Sequence, residues 1–179
     1  MSSLQDYRDY RSKYNYYGHH LGVVITEMEE GRAKCEMPVR QELFNPIGSV
    51  NGGAMFSLAD TTCSAAAAAY GMRMTTLDAD FHFLAPGMNA KVIYGEAIEI
   101  KKGRTTAVYE VKITDDNDTL LACGTFTFYD LNKPLLEGDT PKPYKKKQEK
   151  QKEIDVNVKK SLITDHGKDD DFPIDTIIC

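Results

Sequence analysis

Several function classes are excluded by what the sequence lacks. Its four cysteines, Cys35, Cys63, Cys123 and Cys179, stand far apart. They form neither the close pairs of a zinc site nor the framework of a small secreted domain. They read as reduced core thiols, and no metal site is expected. Positive charge is not in excess: the formal net charge is −5, which argues against a nucleic-acid partner. The N-terminus lacks the charged-then-apolar pattern of a secretory signal. Cys179 has no residues after it, so it is not a prenylation box. The longest run of small and apolar residues, Ala54 to Tyr70, includes Ser57, Asp60, Thr61, Thr62 and Ser64 and is otherwise rich in alanine. Such a run is too weakly apolar to insert into a bilayer. The expectation is a cytoplasmic chain that binds neither membrane nor nucleic acid.

What is present suffices for a substantial core. Hydrophobic residues make up 41% of 179, near the globular norm. The organising stretch runs from Asn45 to Tyr70. Asn45-Pro46 and Gly48 signal a loop. Asn51 suits an N-cap, and Gly52 and Gly53 would open a helix. The helix that follows has almost no polar face and must be surrounded by protein. At about 20 residues it would be ~30 Å long, the width of a small domain. Asp60 is the one carboxylate inside it, and a buried charge is costly unless paired or used. The amides at the helix start form a site for negative charge developing on an oxygen.

Around this helix the pattern predicts strands. Leu4 to Tyr17 reads as a helix with an aromatic stripe, Leu4, Tyr7, Tyr10, Tyr14 and Tyr17. It packs on a sheet edge or a partner subunit, and Gly18 stops it ahead of a loop carrying His19 and His20. Leu21–Met28 and Arg32–Val39 form a hairpin around Glu29-Glu30-Gly31, with Ala33, Cys35, Met37 and Val39 on one face. After the central helix, ended by Gly71, come four strands. Thr75–Leu84 alternates Leu77, Ala79, Phe81 and Phe83 with polar residues. Lys91–Lys101 places Val92, Tyr94, Ile98 and Ile100 on one face. Thr105–Thr114 alternates Ala107, Tyr109, Val111 and Ile113 against Thr106, Val108, Glu110 and Lys112. Thr119–Tyr129 is apolar on both faces, as a central strand would be. Short turns imply a largely antiparallel sheet, so the fold class is α+β, one sheet wrapped around one helix. The expected organisation is an N-terminal amphipathic helix over 1–18, the main domain over 19–131, and a charged tail over 132–179 with too little apolar residue to order itself.

The motif Asn45-Pro-x-Gly-x-x-Asn51-Gly52-Gly53, continuing to Leu58-Ala59-Asp60, resembles the signature of PaaI-like hotdog-fold acyl-CoA thioesterases. Thr76-Leu-Asp78, Phe83-Leu-x-Pro86-Gly87, Lys102-Gly-Arg104 and Leu121-Ala-x-Gly124-Thr125-Phe126 add weaker likeness. The resemblance covers about residues 19–130. It implies a hotdog fold and hydrolysis of an acyl-CoA thioester to free acid and CoA. The active site would lie at a homodimer interface, in a dimer or tetramer, with no cofactor beyond the CoA substrate. Gly52 would donate its amide to the thioester oxygen, and Gly53 would shape the turn. Asn45 would hold the carbonyl or the attacking water. Asp60, from the opposite subunit, would be base or nucleophile. Thr76 would orient the water. Asn51 stands where the family usually has histidine; it can cap and donate but cannot carry a proton.

Plainer roles exist for each residue. Asn45 before proline is ordinary loop chemistry. The glycines could serve close packing, and Asp60 could be structural. Lys101, Lys102 and Arg104 could meet CoA phosphates or be a solvated turn. A non-catalytic acyl-CoA sensor on the same fold is the alternative function, kept open by Asn51. A hotdog hydratase is less well matched, because the central helix has no Asp-x-x-x-x-His dyad.

Overall fold

The computed structural model describes residues 3–137. The charged segment beyond them, with Cys179 and the last isoleucines, lies outside the described residues. The element order is α1 (Leu4–Tyr14), α2 (Tyr16–Leu21), β1 (Val24–Glu29), β2 (Arg32–Pro38), a single 3₁₀ turn (Gln41–Leu43), α3 (Gly52–Ala68), β3 (Met72–Phe83), β4 (Val92–Lys102), β5 (Thr106–Asp115) and β6 (Leu120–Pro134). The six strands form one sheet in the order β1-β2-β4-β5-β6-β3. Every neighbouring pair is antiparallel. The sheet curls around α3, which packs on β2, β3, β4 and β5. This is the expected α+β hotdog architecture.

The N-terminal helix differs from its expected form. Ser3 and Asp6 cap it reciprocally, the arrangement that satisfies two orphan amides at once. It breaks at Asn15, whose side chain accepts from the Gly18 amide and so starts α2. Asparagine competes with the helix for backbone donors, which is why the break falls there. Gly18 therefore lies inside α2 rather than stopping α1, and His19 and His20 are helical rather than in a loop. Gly22, at φ 82°, ends α2. Of the tyrosine stripe, Tyr7 and Tyr10 pack on the core, while Leu4 and Tyr17 are exposed.

The hairpin of β1 and β2 turns at Glu30-Gly31 as expected, with Ala33, Cys35 and Met37 buried. β5 also follows its pattern, burying Ala107, Tyr109, Val111 and Ile113. β4 is the exception, because the predicted inner face is the outer one. Tyr94, Ile98 and Ile100 are exposed, whereas Ile93, Gly95 and Ala97 face α3. The cause is close approach. A Cβ added at Gly95 would sit 2.5 Å from Thr62 Oγ1 and 3.3 Å from Leu58 Cγ. Nothing larger than glycine fits at 95, where β4 presses on α3, and Tyr94, Ile98 and Ile100 carry their bulk outward. Gly95→Ala is expected to destabilise the fold by roughly 1–3 kcal/mol, the usual cost of overpacking. Thermal unfolding of the variant checks this, and an unchanged melting temperature would mean that the helix and strand can part without cost.

β6 buries mainly one face: Ala122, Gly124, Phe126 and Phe128 are buried, while on the other face Leu121 is buried, Cys123 half-buried and Thr125 exposed. Cys123 is thus not a core thiol, unlike Cys35 and Cys63. β6 is also longer than expected. It continues to Pro134, and Leu135, 3% exposed, donates its amide to Gly71 O at 2.8 Å. Arg73 reaches the Pro134 and Glu137 carbonyls. The ordered domain therefore passes the expected limit at 131.

Candidate active site

The loop ahead of α3 is tied by Asn45. Its Oδ1 accepts from the amides of Ile47 (3.1 Å) and Ser49 (3.0 Å), and its own amide donates to Ser49 O at 2.8 Å. This commits the side-chain carbonyl to the turn. The Asn45 NH2 group has no acceptor among the described residues and is the part free to meet a ligand. Gly48, at φ 79°, makes the turn possible.

The start of α3 is equally defined. Asn51 Oδ1 accepts from the Gly53 amide at 2.8 Å, and Asn51 O accepts from Ala54 and Met55. Among the described residues the Gly52 amide has no acceptor. It is the open donor of the first turn, where unsatisfied N–H groups and the helix dipole favour negative charge. Gly53 is already engaged by the cap. The Phe83 ring lies against Gly52, 3.0 Å from where a Cβ would stand, and the rings of Phe56 and Phe81 extend the apolar wall.

Two turns along α3, Asp60 Oδ1 accepts from Thr76 Oγ1 of β3 at 2.7 Å. These two expected site residues are brought together. Asp60 is half-buried rather than sealed. Gly53, Phe56, Ser57, Asp60, Thr61 and Ser64 are exposed or half-buried, while the rest of α3 up to Ala69 is buried apart from Gly52. They lie three to four residues apart and so form one stripe. The expected all-buried helix has, in a single chain, one open face that carries its carboxylate.

Arg104 is not brought to this place. It lies in the β4–β5 turn, whose Lys102 Nζ stands 4.6 Å from the Tyr70 ring centroid. Tyr70 follows the far end of α3, ~27 Å from Gly52 along the helix axis. One half-buried charged group escaped the sequence reading: Arg11 of α1 donates through Nη2 to Ser64 Oγ, one turn beyond Asp60. Its signal was a cation on the stripe face, four residues from Tyr7 and three from Tyr14.

The thiols nearby are poor nucleophiles. Burial pushes Cys35 up to about 11 and Cys63 higher still, so both stay protonated near neutrality. Among the described residues no three His, Cys, Asp or Glu side chains converge on a point that could hold a metal. No helix among them is long and apolar enough to cross a membrane.

Comparison with known proteins agrees with this fold. Residues 47–122 match the thioesterase superfamily. The acyl-coenzyme A thioesterase PaaI of Escherichia coli is 31% identical over 102 residues, which are 57% of this chain and 73% of that one. The proofreading thioesterase EntH of Klebsiella pneumoniae is 33% identical over 106 residues, 54% of this chain and 72% of that one. The solved structure of E. coli PaaI superposes with a TM-score of 0.71 over 73% of this chain and 95% of that chain, at 24% identity. With its helix-start donor, its carboxylate and its curled sheet, the chain belongs to the thioesterase superfamily as a PaaI-like hotdog protein, and it is a thioester hydrolase.

Proposed function

We propose that the protein hydrolyses acyl-CoA thioesters at sites shared by two copies of the chain. One observation carries this reading. The open Gly52 amide and the Asp60 carboxylate belong to one helix but are eight residues, ~12 Å, apart along its axis. Both cannot reach one thioester carbon from the same chain. A second α3 running the opposite way would bring the Gly52 of one copy to the Asp60 of the other. The surface supports such pairing. β3 is a sheet edge, and edge strands invite partners. Ile47 (75% exposed), Leu77 (62%) and Phe83 (58%) leave apolar surface beside it, of the kind that marks an interaction site. The outward-facing Tyr94, Ile98 and Ile100 offer a second surface on which dimers could assemble into a tetramer.

In this reading the Gly52 amide polarises the thioester carbonyl and holds the oxyanion of the tetrahedral intermediate. Asp60 takes a proton from water as it attacks, or attacks directly to form an anhydride that water then hydrolyses to the free acid. Thr76 fixes the carboxylate, leaving its other oxygen for the reaction. The Asn45 NH2 holds the carbonyl or the water. Asn51 shapes the entrance as the helix cap, with Gly53 its partner. Arg104 of the opposite copy would meet the CoA phosphates. The C–S bond breaks and CoA leaves as thiolate, then takes up a proton.

A free-thiol release assay across short, long and aromatic acyl-CoAs tests the proposal. Turnover of at least one class is expected. Saturable binding without thiol release from any of them would replace it with the sensor reading, in which Asn51 has taken the place of a proton-carrying residue.

A further inference from the structure

The face of α3 that carries Asp60 borders a cavity of about 260 Å³ beneath α1 and α2. Thr61, the residue after Asp60, stands in its wall with Arg11, Asn15 and His19. Val23, Val24 and Ile25, leading into β1, form the apolar side. The volume equals about nine waters of ~30 Å³ each, which suits a short acyl group and not a long one. The wall holds no aspartate or glutamate.

Arg11 is the fixed charge in this wall. The residue is half-buried, and its Nε is sealed from solvent without a hydrogen-bond partner. Its Nη2 donates to Ser64 Oγ, a neutral group. Among the described residues no carboxylate forms an ion pair with it. A guanidinium held in this way is costly unless an anion completes it. The polar neighbours add donors rather than an anion. The His19 ring donates through Nε2 to the Ser12 carbonyl. Asn15 Oδ1 accepts from the Gly18 amide, which leaves an NH2 group with no acceptor among the described residues. Half-buried Arg8 lies three residues before Arg11, on the same side of α1.

We propose that this cavity is the acyl pocket beside Asp60 and that Arg11 binds a terminal carboxylate there, so that the substrates are CoA thioesters of short dicarboxylic acids. The inference rests on acyl-CoA hydrolysis at Asp60. Asp60 and Ser64 are four residues, ~6 Å, apart along the helix axis. An acyl group whose thioester carbon meets Asp60 therefore brings its far end to the guanidinium after a few methylenes, which the valine side of the cavity covers. The phosphates of CoA lie a whole pantetheine arm away on the other side of the thioester and do not reach this wall.

The test compares kcat/KM of the full chain for glutaryl- and adipoyl-CoA with that for pentanoyl- and hexanoyl-CoA, which have the same carbon counts and no terminal carboxylate. Wild type should favour the carboxylated pair by about 10–100-fold, the worth of a charge-assisted hydrogen bond. Arg11→Met should bring the ratio near one, and Arg11→Lys should keep part of it. The ratio is taken within one preparation, so the folded fraction cancels. Should Arg11→Met give no folded protein, Val24→Glu serves in its place. Val24 is 48% exposed on the edge strand β1, and a glutamate there gives Arg11 a carboxylate of its own, so the ratio should again fall near one. A wild-type ratio near one, with all four thioesters turned over, overturns the carboxylate site and leaves thioester hydrolysis standing. A preference that survives in either variant overturns its assignment to Arg11. If none of the four is turned over, the hydrolase reading falls, and their dissociation constants carry the comparison: tighter binding of the carboxylated pair supports the site, and equal binding overturns it.

Discussion

Asp60→Asn is expected to lower kcat by roughly 10²–10⁴, the usual worth of a positioned acid–base group, while the protein stays folded. The amide oxygen can still accept from Thr76 Oγ1, which now stands 2.7 Å from Oδ1. Losing the charge should cost little stability, because a half-buried carboxylate is partly screened by solvent. Substrate binding should persist, since the Gly52 amide and the Phe56, Phe81 and Phe83 wall are untouched. A purely structural Asp60 predicts the reverse: a larger fall in melting temperature and normal turnover per folded molecule. Measuring melting temperature and turnover on the same preparation separates the cases. Near-normal kcat in well-folded Asp60→Asn would sink the mechanism.

Which parts of this molecule were legible in the sequence follows from which forces act locally. β2 and β5 alternate cleanly because each has one face on the core and one in solvent, so hydropathy alone reports their orientation. β4 obeys the same geometry but inverts the signal. Its inner face must carry glycine at 95 to let Thr62 and Leu58 approach, and Tyr94, Ile98 and Ile100 carry their bulk outward. Hydropathy cannot register a steric limit set by a helix three dozen residues earlier. The break at Asn15 depends on one side chain accepting the Gly18 amide, a choice that the tyrosine periodicity conceals.

The site divides in the same way. The helix cap and the open Gly52 amide are consequences of local sequence, and Asn51 binding the Gly53 amide is what the Asn-Gly-Gly order suggests. The Asp60–Thr76 bond joins residues on a helix and an edge strand. No spacing rule pairs those, and only the family likeness had put both in one site. Arg11 was hidden by the opposite effect: a charged residue on a surface helix is normally solvated, and its partial burial comes from the docking of α1 on α3. Arg104 was named for its charge within a weak motif, and a single chain keeps it at the other end of the central helix. The distances that separate Gly52, Asp60 and Arg104 in one chain are themselves the reason to look for a second.

Gly52→Pro is the sharpest test of that second copy. The substitution deletes the open N–H, and the local backbone can accept it. Gly52 is the first helical residue, the position where proline is best tolerated. Asn51 before it, at φ −62° and ψ 133°, already has the extended conformation that a residue preceding proline requires. The new ring would press on Phe83, but that side chain is 58% exposed and free to turn aside. Gly52→Ala makes the same contact and keeps the N–H, so it isolates the hydrogen bond from the crowding. Gly52→Pro is expected to lower kcat by about 10²–10³, the worth of one oxyanion donor, and Gly52→Ala by far less. Mixing Gly52→Pro with Asp60→Asn under conditions that exchange subunits then decides where the site lies. A mixed dimer has one site built from two damaged halves and one built from two intact halves. Half of the randomly paired dimers are mixed, so roughly a quarter of wild-type activity should return. Two nearly inactive parents that stay inactive after exchange would place Gly52 and Asp60 in separate chemistry, and the shared site would have to be abandoned.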